Sequence, residues 1–183
     1  GAKNFDTEKT YNNMMNRYRY GGLDQKGLYI DETVMRMCYT HRRLFAQLAL
    51  ALISEQKNDK ALKVLQKADK VMPDYTVPYN YMSGGLDMAR GYAMAGNMAK
   101  AKEYVSATWK NASQYLSYYL SLDANRFSQA QSDCIRQIMI MQSICEVASM
   151  VDLKTAKKYE EQLNHLYTLY RGRGGQMPSG AGE

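Results

Sequence analysis

The stretch NDKALKVLQKADKVMPD, Asn58 to Asp74, sets Ala61, Leu65 and Ala68 at steps of four and three residues and closes on Pro73. Those steps return side chains to one face of an α-helix. Asn58 or Asp59 is a suitable N-cap, and the residue before Pro73 is pushed out of helical geometry, so the spacing predicts one amphipathic helix with a defined start and stop. Small residues on the inward face let a second helix approach closely.

The preceding residues supply that second helix. Asp31 is a good N-cap for a helix running to about Gln56, and Phe45, Leu48, Ala49 and Leu52 line one side of it. Working outward, periodicity and stop signals predict a short first helix from Thr7 to Tyr18, a loop containing KGLYIDE, and a fourth helix opened by Pro78 and ended by Gly96. Asn97 caps a fifth, from Met98 to about Leu120, and two more follow, Asn125 to Met150 and Leu153 to Tyr170. No useful period-two stretch occurs, and only three prolines stand among abundant Ala, Leu, Lys, Gln and Met. The predicted class is all-α.

Read as a pair, the helices around Phe45 to Pro73 resemble the tetratricopeptide repeat, on Phe45, Leu48, Ala49, Leu52, Ala61, Leu65, Ala68 and Pro73. A shift of 40 residues repeats the middle of the pattern at Ala89, Tyr92, Gly96 and Ala101, while Gly85 and Ser113 depart from it at the ends. The resemblance implies antiparallel helix pairs stacked in a right-handed superhelix. The expected organisation is an N-terminal extension over 1–30 packed on the repeats, a helical domain over 31–170, and a flexible tail over 171–183 with no apolar face to bury.

A second resemblance covers about Tyr11 to Leu122. YNNMMNRYRYGG, YIDETVMRMCYTHRRLFAQLALAL, DKALKVLQKADKVMP and VPYNY look like the soluble C-terminal region of bacterial multi-spanning membrane proteins related to protein O-mannosyltransferases. That resemblance implies a parent whose catalytic part lies in a membrane portion, and a position beside the membrane on its periplasmic side. It carries no catalytic residue onto this chain.

The chemistry-bearing residues are sparse. His41 and His165 fall on different predicted helices, and His41 with Cys38 makes two ligands, too few for a zinc site. Asp31-Glu32 and Glu160-Glu161 are adjacent on helices and point about 100° apart. GRGG at Gly172 to Gly175 follows a helix, the wrong order for a phosphate cradle. Cys134 and Cys145 stand roughly 16 Å apart along one helix and cannot pair, so Cys38, Cys134 and Cys145 are expected as buried thiols. No catalytic residue, metal or cofactor is predicted.

The net charge of +6 is spread along the sequence, densest at Arg42-Arg43, Lys157-Lys158 and Arg171 with Arg173, which argues against a nucleic-acid partner. The longest apolar run, Leu44 to Ile53, is too short to span a bilayer, so no direct membrane insertion is expected. These features point to a non-catalytic interaction or scaffold domain whose partner is a protein or peptide, the membrane portion of its own parent chain being one candidate. The alternatives are a nucleic-acid-associated repeat and an independent enzyme. Leu50 and Ile53 are expected to be covered from within the chain, either by the KGLYI segment or by the helix beginning near Asn125, leaving a partner to a rim at Tyr79, Tyr81 and Arg90.

Overall fold

The computed structural model describes residues 6–178 apart from Tyr18 and Tyr20, and among them it is all-α, with no strand. The expected end of the first helix at Tyr18, part of the YNNMMNRYRYGG motif and the last five residues of the expected tail lie outside the described residues. The helices are α1 (Thr7–Asn12), continued by a π-helical turn (Asn13–Arg17), α2 (Glu32–Ser54), α3 (Asn58–Val71), α4 (Gly85–Met94), α5 (Met98–Ser121), α6 (Ala124–Gln129), α7 (Gln131–Val151) and α8 (Leu153–Gly172). The chain groups into two compact units, Gly1–Val105 and Ser106–Glu183, a division that falls inside the single helical domain expected over 31–170.

In the first unit α2 packs on both α3 and α4, α3 on α4, and α1 on α2. The helices begin and end for local reasons. Asp31 caps α2 by accepting from the Val34 N–H at 3.0 Å, and Asn97 caps α5 by accepting from the Lys100 N–H at 3.1 Å. The start of α3 differs from expectation, because Lys57 holds the cap position without a side-chain bond and Asn58 is already helical.

The links α2–α3 and α4–α5 are the same turn. Gln56 and Gly96 both take left-handed backbone, at φ 62° and 92°. In each case the next residue closes a ring back onto the helix, Lys57 N–H to Leu52 O and Asn97 N–H to Tyr92 O, both at 2.8 Å. The two turns are 40 residues apart, the interval at which the sequence pattern recurs. Seven of the expected core positions, Phe45, Leu48, Ala49, Leu52, Ala61, Leu65 and Ala68, are fully buried, as is Ala101, and Tyr92 is nearly so. Pro73 is half-buried at the end of α3. A Cβ at Gly91 would come within 3.2 Å of Leu65, which measures how closely α4 lies against α3.

Pro78 does not open the fourth helix, which starts seven residues later at Gly85. Residues 73–84 form successive turns, with Val77 N–H bonded to Pro73 O and Gly85 N–H to Asn80 O. Gly84 ends them at φ 78°, and a Cβ there would lie 2.8 Å from Arg43 Cγ and 3.2 Å from its Cα, so both conformation and space demand glycine. Nor does KGLYI cover the apolar face of α2: Tyr29 is 88% exposed, and Leu50 and Ile53 are half-buried instead of enclosed. The N-terminal segment engages the far end of α2 and α3, where Thr7 Oγ1 donates to Glu55 at 2.9 Å and Glu8 pairs with Lys57 and Lys60 at 3.1 and 3.0 Å.

In the second unit the helix expected from Asn125 to Met150 is split at Ala130, whose N–H is shared between Arg126 O and Phe127 O in a tightened last turn of α6. α7 packs on α8. By length and composition α7 is the one helix among the described residues apolar enough to cross a bilayer, a candidate that the longest-run criterion passed over, and Cys134, Ile138, Met141 and Ile144 along it are buried within the fold. Trp109 stacks on Tyr159 with centroids 4.1 Å apart and donates its indole N–H to Gln162 at 2.9 Å. The start of the expected flexible tail folds back: Tyr170 OH donates to Gln176 O at 2.9 Å, and Arg173 lies over the Phe127 ring at 4.2 Å and donates to Leu120 O. The reason is that Gly174, at φ 84°, turns the chain so that Gly175 N–H reaches Tyr170 O.

Candidate functional site

The polar residues that the first unit brings together surround Tyr79. Arg42 lies on the buried side of α2, in the row Cys38, Arg42, Phe45, Ala49, Leu52, and is fully buried. Its guanidinium reaches into the 72–83 connector and holds four oxygens there. Nη1 donates to Pro78 O at 3.0 Å and Ser83 Oγ at 2.9 Å, and Nη2 to Met72 O at 2.7 Å and Val77 O at 2.6 Å. A planar fork with fixed donors suits such convergent acceptors. Asn80 and Ser83 tie the same connector reciprocally, Ser83 N–H to Asn80 Oδ1 at 2.9 Å and Asn80 N–H to Ser83 Oγ at 3.1 Å.

Tyr79 links this cation to a carboxylate. Its ring stands 4.8 Å from the Arg42 guanidinium carbon and stacks on Tyr104 with centroids 3.9 Å apart. Its hydroxyl donates to Asp69 Oδ1 at 3.0 Å, and Asp69 also accepts from the hydroxyls of Tyr92 and Tyr104, with Lys100 Nζ at 3.6 Å. Three phenols therefore converge on one carboxylate from α4, α5 and the connector. Burial, reinforced by the Asp69 charge, pushes all three phenols well above the ordinary tyrosine range. They stay protonated as donors, which leaves none of them available as a phenolate base.

This arrangement removes Tyr79 from the expected rim. Tyr79 is 5% exposed and belongs to the interior cluster. Tyr81 is exposed, and Arg90 is half-buried and paired with Asp87 at 2.7 Å on its own helix. Sequence reading missed Arg42 and Asp69, although each interrupts or borders an apolar row: Arg42 falls between Cys38 and Phe45 at helical spacing, and Asp69 one residue beyond Ala68. A charge in such a row is a signal of a buried polar network.

Two concavities among the described residues lie apart from this cluster. A cleft of about 300 Å³ lies between Arg19, Gly21 and Leu23 and the α2 residues Val34, Met37, Cys38 and His41, with Met72 at its end. Its walls are largely apolar, and burial pushes the Cys38 thiol up, which disfavours the thiolate there. In the second unit an open groove of about 560 Å³ runs along Ser113 and Ser117 of α5 and Lys158, Glu161, Gln162 and His165 of α8. Lys158, Glu161 and His165 are exposed there. No group of three or more metal-ligating side chains occurs among the described residues, and all three cysteines are free and buried. Comparison with models of protein families, with curated proteins and with solved structures finds no match.

Proposed function

We propose that this chain is a non-catalytic docking module, built on a tetratricopeptide-like repeat, that holds a polypeptide partner. The observation that carries the reading is the recurrence of one helix–turn–helix rule: the turns at Gln56-Lys57 and Gly96-Asn97 share their left-handed residue and their closing bond, with buried Ala61 and Ala101 at equivalent places beyond them. Repeats of this kind bury a continuous core by stacking neighbours and leave extended surfaces for partners. The convergent polar groups support the same reading, since Arg42 and Asp69 are occupied in fixing the connector and the helices around it. In this view the module belongs to a membrane glycosyltransferase-like parent, on its periplasmic side, and organises that parent or its acceptor.

The test is photo-crosslinking. A photoreactive residue placed singly at Met37, Tyr81 and Met82, all exposed, is activated in cells making the intact gene product. A discrete polypeptide adduct from at least one position is expected. Adducts to nucleic acid alone, or none at any position, would contradict the reading. The membrane attachment is tested separately by the complete reading frame, which should encode several spans of about 20 apolar residues upstream.

A further inference from the structure

Lys63, Lys67 and Lys70 follow one another along α3 at steps of four and three residues and so share one side of the helix over about 10 Å. Lys60 extends the row by a turn but is already paired with Glu8 at 3.0 Å. The other three have no ion-pair partner within 4 Å among the described residues, and Lys63 and Lys70 are exposed. Two carboxylates on the same helix could have neutralised them. Asp59, one turn before Lys63, is exposed and forms no ion pair with it, and Asp69 is turned inward onto Tyr79, Tyr92 and Tyr104. The core thus takes the acid and leaves its neighbouring cations uncompensated on the surface.

We infer that this row is a docking track for an acidic, extended polypeptide segment, which rests on the polypeptide-docking reading above and names the chemistry of the partner. Ammonium groups one helical turn apart, about 5–6 Å, are close to the spacing of carboxylates on alternate residues of an extended chain, about 6.6–7 Å. Gln66 is exposed among them and both donates and accepts, as a peptide backbone requires, whereas a phosphodiester backbone offers acceptors only. The exposed residues of α3 are Asn58, Asp59, Lys63, Gln66 and Lys70. None is aromatic, as base stacking would need, and none is apolar, as insertion at a bilayer surface would need.

The experiment is fluorescence anisotropy with a labelled 12-residue peptide of alternating Glu and Ser, at physiological ionic strength. The triple variant K63E/K67E/K70E should weaken binding at least about tenfold, and the neutral K63Q/K67Q/K70Q variant by a smaller factor. Because these side chains lie on the outer side of α3, both should melt like the parent chain. A control triple on α8, K154E/K157E/K158E, makes the same change in net charge at exposed positions and should leave affinity within about twofold. Equal losses in the two charge-reversed triples would overturn the inference. So would no binding by the parent chain, or binding of a single-stranded oligonucleotide or of vesicles with one-third anionic lipid about tenfold tighter than the peptide. If only the acidic track is wrong, photo-crosslinking still yields a polypeptide adduct; if the docking reading is wrong, it does not.

Discussion

Tyr79 donates its hydroxyl to Asp69 at 3.0 Å while its ring covers the Arg42 guanidinium at 4.8 Å, so one side chain joins a buried cation to a carboxylate. The cation fixes the connector and the carboxylate gathers α4 and α5 onto α3.

Arg42→Lys should destabilise the protein by about 2 kcal/mol or more, although the charge is kept. A single ammonium cannot reach Met72 O, Val77 O, Pro78 O and Ser83 Oγ together, and buried acceptors would be left without donors. Thermal or urea unfolding measures the loss. A variant as stable as the parent chain would mean that the connector holds itself.

The repeated turn makes opposite predictions for its two copies. Gln56 is a non-glycine residue at φ 62°, so Gln56→Gly should stabilise by about 0.5–1 kcal/mol. Gly96 sits at φ 92°, and Gly96→Ala should destabilise by about 1 kcal/mol. Two changes of the same sign in denaturant unfolding would show that the turns are not equivalent.

How much of this was legible beforehand depends on what each signal encodes. The faces of α2 and α3 could be read because Phe45, Leu48, Ala61 and Leu65 follow helical spacing, and Gly96 and Asn97 because stop and start signals are local. The start of the fourth helix was misplaced since Pro78 is acceptable at a first turn; what overrides it is Arg42, 36 residues away, binding Pro78 O. The role of Tyr79 was hidden for the same reason. Its surroundings come from α2, α3 and α5, and no window of sequence around it contains them.

Ala61→Leu and Ala101→Leu should each cost about 1–3 kcal/mol through overpacking. Both alanines are fully buried, in the turn that follows a repeated link. Melting temperatures of the two variants check this. If both melt like the parent chain, the 40-residue register does not describe the packing.

Alkaline pH should unfold the protein through its buried phenols. Tyr79, Tyr92 and Tyr104 have folded pKa values raised above the ordinary tyrosine value of about 10, by burial first and by the Asp69 charge second. A raised folded value means that their contribution is fully present below about pH 10 and is lost as pH climbs toward the folded values. At about pH 11 at least three of the 16 tyrosines should still be protonated, and their tyrosinate absorbance should appear only with loss of the helical circular dichroism signal. Complete ionisation with the helices intact would contradict this.

A double-mutant cycle between Arg42 and Asp69 is the most direct test that the polar centre of this unit is one scaffold-holding network joined through Tyr79. Arg42→Met and Asp69→Asn are made singly and together, and the unfolding free energy of each is measured. Because both residues act on Tyr79, the two losses should be non-additive, with a coupling of about 0.5–3 kcal/mol. Losses that add to within about 0.3 kcal/mol would mean that Arg42 and Asp69 serve separate purposes, and that the network is not what holds this unit together.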